Sequence, residues 1–147
     1  MCYCAPADSE ESYIRTVEGL NANGEEAVPA TYLIDVERKL VISRAWGAIT
    51  DYDVSEHHRS LRTDPAFDPT YRQLIDMNGI TEDLVGIETK REISGDPIFA
   101  PGVRRAWVAS PDYSFGMARM YAIAAERQGQ TIGVFRTISE AEQWLGL

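Results

Sequence analysis

Four polar residues directly follow two of the predicted strands and are the first candidates for chemistry. Asp76 and Asn78 come at the end of the third predicted strand, and Ser110 and Asp112 come at the end of the fourth. Open α/β sheets bind ligands in the crevice beyond the carboxyl ends of their strands, so these side chains predict a small polar ligand site. Simple helix capping is the alternative interpretation, and the Asp112 carboxylate disfavours an anionic ligand at this helix end.

Two other residues are candidates for contact with a ligand or a partner. Arg119 lies on a predicted helix among apolar residues, where it would clamp a ligand carboxylate, pair with an acid across a subunit boundary, or form a salt bridge within the chain. Phe99 lies in the irregular loop 95–102, which is either a lid over an apolar pocket or a connector anchored by one aromatic ring. Arg104 and Arg105, at the start of the fourth strand, are predicted to be solvated.

The histidines form no catalytic or metal-binding set. His57 and His58 are the only two, and adjacent residues on a helix point about 100° apart, so they cannot act as one bidentate site. The helical spacing predicts that His58 faces the core and that His57 faces solvent. The sequence also lacks a glycine-rich phosphate loop, a Ser–His–Asp order and a GxSxG elbow, so it predicts no catalytic residues, no metal and no cofactor.

The charge of the chain disfavours some classes of partner. The 147 residues carry a net charge of −9, and residues 1–30 hold six acidic residues against the single base Arg15. Because no basic stripe is available to neutralise phosphates, binding to nucleic acid or to an anionic membrane surface is disfavoured. No apolar stretch approaches the ~20 residues of a membrane span, and the first residues do not resemble a signal peptide, so a cytoplasmic location is expected.

The N-terminal segment differs from the rest of the chain. Residues 1–30 are expected to form an acidic, partly ordered appendage with a short helix over residues 10–20, whereas residues 31–147 form the single domain. Cys2 and Cys4 are the only cysteines. They would bind a soft metal or form a redox pair, or else remain exposed thiols, because a mobile tail provides no preorganised geometry.

The predicted elements are a strand hairpin followed by alternating helices and strands. This order predicts an α/β fold with a mixed five-stranded sheet, whose hairpin is antiparallel and whose remaining strands are parallel. The five strands are expected at residues 32–36, 40–46, 71–76, 105–109 and 131–135. Gly47 and Gly79 are expected to end the second and third strands, and the helices are expected to begin at the caps Thr50, Thr81, Ser110 and Ser139.

Several short segments carry a family resemblance. They are the hairpin around residues 34–36 and 46–47, residues 74–76 with Asn78, Gly79 and Thr81, and above all residues 105–109 leading into residues 115–121. Through them the chain resembles the SpoIIAA-like (STAS/SEC14-type) family of uncharacterised bacterial proteins. The resemblance covers residues 31–147 and implies a STAS/SpoIIAA-like fold.

The same resemblance draws attention to one hydroxyl. The anti-sigma-factor antagonists, which are built similarly, carry an Asp-Ser-Ser-Gly-like phosphorylation site at the start of the helix after the third strand. In this chain the corresponding residues 79–84 lack the Ser-Gly pair, and Thr81 is the only hydroxyl among them. Thr81 is therefore the candidate phosphorylation site, and helix capping is its alternative explanation.

Three functions remain open. The first is a non-enzymatic binding or regulatory module. It would act through protein–protein contact, including a homodimer through the apolar helix 112–127, or would hold a small apolar ligand near residues 95–105 and that helix. The second is a small-molecule enzyme that uses the four turn residues named above. The third is a phospho-regulated switch at Thr81 like that of the anti-sigma-factor antagonists.

Overall fold

The computed structural model describes residues 12–14 and 30–147. The strands are β1 (Ser12–Ile14), β2 (Ala30–Asp35), β3 (Leu40–Ile49), β4 (Arg72–Asp83), β5 (Arg104–Val108) and β6 (Thr131–Phe135). The helices are α1 (Asp51–Thr63), α2 (Ile87–Gly95), α3 (Asp112–Glu126) and α4 (Ile138–Leu145). Within this part of the chain, none of the helices has the length and apolar character needed to cross a membrane.

The strands form one sheet in the same order as along the chain, from β1 at one edge to β6 at the other. The pairs β1–β2 and β2–β3 are antiparallel, and the pairs from β3 to β6 are parallel. The predicted α/β fold, with its antiparallel hairpin and parallel strands, is therefore confirmed, and all five predicted strands are present.

β1 adds a sixth strand in the segment where the sequence predicts a helix. Residues 12–14 pair with residues 33–35 of β2. The helix prediction is wrong for these three residues because the open edge of β2 offers strand pairing, which a local pattern cannot reveal. The rest of the predicted appendage, including Cys2 and Cys4, lies outside the described residues.

The helices pack on both faces of the sheet. Leu61 of α1 shares a buried cluster with Val41, and Ala122 of α3 shares another with Trp107. α4 packs on a third cluster, whose strand members are Leu40, Leu74, Ala106 and Val108. Because side chains alternate between faces along a strand, α1 and α3 lie on one side of the sheet and α4 lies on the other. α2 packs chiefly against α1 and α3, so we call their side the three-helix face.

β3 and β4 are longer than the sequence predicts. Gly47 and Gly79 do not end their strands, because the extensions pair with each other, Trp46 with Gly79 and Ile49 with Asp83, across two register shifts. A side chain on Gly79 would collide with Trp46, so this glycine permits close strand pairing. As a consequence, Thr81 lies in β4 and caps no helix.

The helix caps agree only partly with the predictions. The Thr50 cap is confirmed: its backbone N–H donates to Asp53 Oδ2 at 2.9 Å, and its hydroxyl accepts from the Asp53 N–H. The predicted Ser110 and Ser139 caps are wrong. α3 begins after Pro111 with no side-chain cap, and α4 begins after Thr137, whose hydroxyl accepts from the Glu140 N–H at 3.2 Å. α2 begins after Gly86, also without a side-chain cap.

Candidate functional site

The carboxyl ends of the parallel strands bring three of the four turn residues together. The Ser110 N–H donates to Asn78 Oδ1 at 2.8 Å. Arg136 connects this pair to Asp112, because its Nη1 donates to the Ser110 carbonyl at 2.9 Å and to Asp112 Oδ1 at 2.7 Å. Asp76 takes a separate role: its carboxylate accepts from the Asn78 N–H at 3.0 Å.

Arg136 is the residue that the sequence predictions missed at this edge. It directly follows β6, as Ser110 comes shortly after β5. The rule that the residues after parallel strands meet at one edge would have included it. Its guanidinium also lies 4.2 Å from the centre of the Phe115 ring.

An open crevice of about 600 Å³ lies beside these residues. It is lined by Asn78, Ser110, Arg136, Thr137, Ile138, Ser139, Glu142, Gln143 and Leu147. The polar groups at its rim largely bind one another, since the Ser110 hydroxyl donates to the Arg136 carbonyl at 2.5 Å. These bonds tie the β4, β5 and β6 ends together and so give the edge a structural role.

Three other predicted site residues lie apart from this crevice. Phe99 is 3% exposed and packs edge-on against Phe67, so it belongs to the core rather than to an open pocket. Arg119 is exposed on α3, with its guanidinium 6.0 Å from the Phe115 ring. Thr81 is exposed on β4. Ligand contact at Phe99 or Arg119 and phosphorylation at Thr81 remain predictions.

A second set of polar residues lies on the three-helix face, centred on Arg105. Arg105 is less solvated than predicted, since its side chain is only partly exposed. Its Nε donates to Gln73 Oε1 at 2.9 Å, and its Nη1 donates to Gln130 Oε1 at 3.4 Å. Its guanidinium lies 4.4 Å from the centre of the Phe99 ring. The neighbouring Arg104 instead reaches the α4 face, where it donates to the Trp144 carbonyl at 2.7 Å.

The Arg105 side chain is partly exposed and has no carboxylate partner among the described residues. Each of its hydrogen bonds goes to a neutral amide oxygen, and none of them uses Nη2. Burial lowers the pKa of Arg105 to about 10, because the charged form loses solvation that the protein does not replace. A partly exposed guanidinium without a carboxylate partner can bind an anionic group from outside the chain.

Three further buried polar atoms surround this region. Ser43 Oγ, His57 Nε2 and Trp107 Nε1 have no hydrogen-bond partner in the described part of the chain. Ser43 and Trp107 lie in one row across β3, β4 and β5, because both are register partners of Ile75. We call Arg105 and these three residues the Arg105 cluster.

His57, rather than His58, faces the sheet. Its ring packs edge-on against Tyr32 with a centroid distance of 5.7 Å, one helical turn before the buried Leu61. Burial lowers the pKa of His57 to about 4, and the charges of His58 and Arg105 lower it further. His58 instead lies 3.3 Å from Arg62 Nη2. Local spacing could not separate the two residues because both fall near the edge of the apolar stripe.

Tyr121 of α3 contacts both Trp107 and α2. α1 carries His57, and α3 carries Tyr121, whose ring lies 5.1 Å from the Trp107 ring. The Tyr121 hydroxyl donates to the Lys90 carbonyl of α2 at 3.2 Å. α2 packs on α1 and α3, and Ile75 in the middle of the sheet is only partly buried.

Comparison with known proteins gives likenesses among solved structures. No family profile and no curated protein matches the chain. Among solved structures, the chain is similar to an uncharacterized protein of the DUF3478 family with a SpoIIAA-like fold from Shewanella loihica PV-4. The two share 16% identity over 91% of this chain and 93% of that chain, with a TM-score of 0.49.

Proposed function

We propose that this protein is a non-enzymatic binding module that holds a small ligand at the Arg105 cluster on the three-helix face. The single observation that carries the proposal is the partly exposed Arg105 guanidinium, which is held by two neutral amide oxygens and has no carboxylate partner among the described residues. A guanidinium that is fixed in place and keeps unused N–H donors is suited to bind an anionic group. The position agrees with the ligand site expected near residues 95–105 and the α3 helix.

The chemistry of the cluster supports binding rather than catalysis. Ser43 and His57 make no hydrogen bond with each other, so the serine has no base that would activate it. The low pKa of His57 makes it a weak base at neutral pH.

A ligand screen on matched variants tests the proposal. A ligand at a hundredfold its Kd stabilises the folded state by about 2.7 kcal/mol, which is roughly 5–10 °C in Tm for a chain of this length. We expect such compounds to raise the Tm of the wild type and of the control Arg104→Met, but not the Tm of Arg105→Met. A library that stabilises none of these proteins, or that stabilises all of them equally, would contradict the proposal.

We also propose that the outer face of α3 binds a second copy of the chain. Tyr113, Met120 and Ile123 are 72%, 67% and 52% exposed, and they follow one another along the helix at spacings of seven and three residues. A contiguous exposed apolar stripe is typical of an interface. Equilibrium sedimentation should show a dimer that Met120→Glu dissociates, and a strict monomer at tens of micromolar would remove this proposal.

A further inference from the structure

We infer that a second copy of the chain packs antiparallel along the outer face of α3, with Arg119 of each copy paired with Glu126 of the other. This inference rests on the dimer proposed above, and it specifies the orientation of the two copies and the charges that select it.

The outer face of α3 has the residue spacing of a two-helix interface. Five exposed residues recur there at alternating intervals of three and four: Tyr113, Gly116, Met120, Ile123 and Arg127. These intervals are the repeat by which two α-helices pack side by side. The residues of α3 that are buried against the sheet are alanines on the opposite side, so the exposed repeat takes no part in the packing of the single chain.

The middle of this repeat is apolar. Met120 and Ile123 are 67% and 52% exposed. In an antiparallel pair centred between residues 121 and 122, Met120 lies beside Ile123 of the second copy, and the reverse contact lies across the axis. Both side chains are then removed from water, which favours association. Gly116 comes opposite Arg127 of the second copy and leaves space for that long side chain, since no atom lies within 4 Å of a Cβ built on Gly116.

Two opposite charges flank the apolar middle on one side. Arg119 and Glu126 each directly precede a residue of the repeat, so they occupy equivalent positions one heptad apart. Both are exposed, and neither forms an ion pair with another residue in the described ranges. Side chains that pair along one helix are three or four residues apart, so these two do not neutralise each other within the chain.

The order of these charges selects the antiparallel orientation. Positions that flank the repeat on the same side face each other in an antiparallel pair, and charges at such positions set the orientation of two helices. Arg119 therefore meets Glu126 of the second copy, and the two-fold axis repeats the contact. In a parallel pair Arg119 would instead lie beside Ala124 of the second copy, which has no charge to bind.

The same two charges favour a second copy over other occupants of this face. A partner surface of a single sign would neutralise one of Arg119 and Glu126 and repel the other, whereas a second copy neutralises both. An anionic membrane surface is disfavoured further by the net charge of −9 on the chain.

The experiment reverses each charge separately and then mixes the two variants of the full chain. Arg119→Glu and Glu126→Arg each place like charges opposite one another at both contacts of the dimer. We expect each variant to raise the Kd of the dimer at least tenfold in equilibrium sedimentation. In an equimolar mixture, the acid introduced at position 119 faces the base introduced at position 126 at both contacts, so we expect dimers to form again.

Arg59→Glu is the matched control for the change of net charge. Arg59 lies on α1, where its side chain is 65% exposed, and its reversal changes the net charge by the same amount as Arg119→Glu. We expect the Kd of the dimer to stay at the wild-type value. Thermal unfolding checks that every variant is folded.

Cross-linking measures the orientation without altering the charges. In a background of Cys2→Ser and Cys4→Ser, chains with Met120→Cys are mixed with chains with Ile123→Cys and oxidised mildly. An antiparallel pair places these two positions side by side, so we expect disulfides chiefly between the two different chains. A parallel pair would instead cross-link each variant with itself.

Failure of the inference and failure of the proposed dimer give different results. If the wild type is a strict monomer at tens of micromolar, both are wrong. If both single variants dimerise like the wild type while Met120→Glu dissociates, the dimer through α3 stands and the pairing of the charges is wrong. The same conclusion follows if the mixture of the two charge variants stays monomeric, or if each cysteine variant cross-links with itself.

Discussion

A Cβ atom on Gly79 would lie 2.8 Å from the Cβ atom of Trp46, its register partner on β3. The next contact, with the Ala45 carbonyl oxygen at 3.0 Å, involves backbone, so neither neighbour can move cheaply. We expect Gly79→Ala to lower the free energy of unfolding by about 1–3 kcal/mol, because the two strands must separate to admit the methyl group. Urea denaturation measures the change.

Gly116→Ala is the matched control for that prediction. No atom lies within 4 Å of a Cβ built on Gly116, which is exposed in the middle of α3. Alanine is favoured over glycine in a helix, so this variant should gain roughly 0.5–1 kcal/mol. Equal effects of the two substitutions would contradict the close strand approach at Gly79.

The burial of His57 predicts a loss of stability in mild acid. The pKa of this imidazole is 6.5 in the unfolded chain and about 4 in the folded protein, so the unfolded state binds the proton more tightly. The stabilisation is complete above pH 6.5 and is lost as the pH falls towards 4, by at most about 3 kcal/mol. His57→Phe should flatten the profile between these values, measured as unfolding free energy against pH.

His58→Gln provides the comparison for the pH profile. Burial also lowers the pKa of His58, but its ring contacts Arg62 near the surface. We expect this variant to keep most of the acid dependence of the wild type. A profile that follows His58 instead of His57 would show that the assignment of the inner histidine is wrong.

The start of α4 gives a prediction that separates two neighbouring hydroxyls. Thr137 accepts a hydrogen bond from the Glu140 N–H, whereas Ser139 lies inside the helix. Thr137→Ala should cost about 1 kcal/mol of stability, and Ser139→Ala should have little effect. Thermal or urea unfolding measures both changes. A larger loss of stability for Ser139→Ala than for Thr137→Ala would show that Ser139 is the cap, as the sequence predicts.

The contacts of Arg136 predict how much its two partners contribute to stability at the carboxyl ends of the parallel strands. The carboxylate of Asp112 is 93% exposed, so its ion pair with Arg136 is screened by solvent. We expect Asp112→Asn to change the unfolding free energy by less than about 0.5 kcal/mol. Arg136→Met should cost about 1 kcal/mol, because the bond to the Ser110 carbonyl and the stacking on Phe115 are lost. A larger loss of unfolding free energy for Asp112→Asn than for Arg136→Met would show that the ion pair, and not the other Arg136 contacts, stabilises this end of the sheet.

The success of the sequence predictions depended on how local the deciding interactions are. The Thr50 cap joins residues three apart, and the pattern identified it. Ser110 and Asn78 meet because parallel strands end at a common edge, which the order of elements already implies. Gly79 was expected to end its strand because its role depends on Trp46, which is distant in sequence.

Arg105 could not be identified as a site residue from its neighbours in the chain. Its amide partners Gln73 and Gln130 are 32 and 25 residues away. The adjacent Arg104 has the same side chain, but side chains alternate between the two faces of a strand, so Arg104 is exposed and Arg105 is partly buried. A cation at a strand start is most often solvated, so the local expectation fails where tertiary structure overrides it.

The order of the strands has a consequence for how the chain assembles during synthesis. Each strand from β2 to β6 joins the edge left by the strand before it, so the sheet can grow in the direction in which the ribosome delivers it. The α4 face is different. Leu40 and Leu74 become buried there against Ala141 and Leu145, and must therefore stay in contact with water, or with a chaperone, until residues 138–145 have emerged.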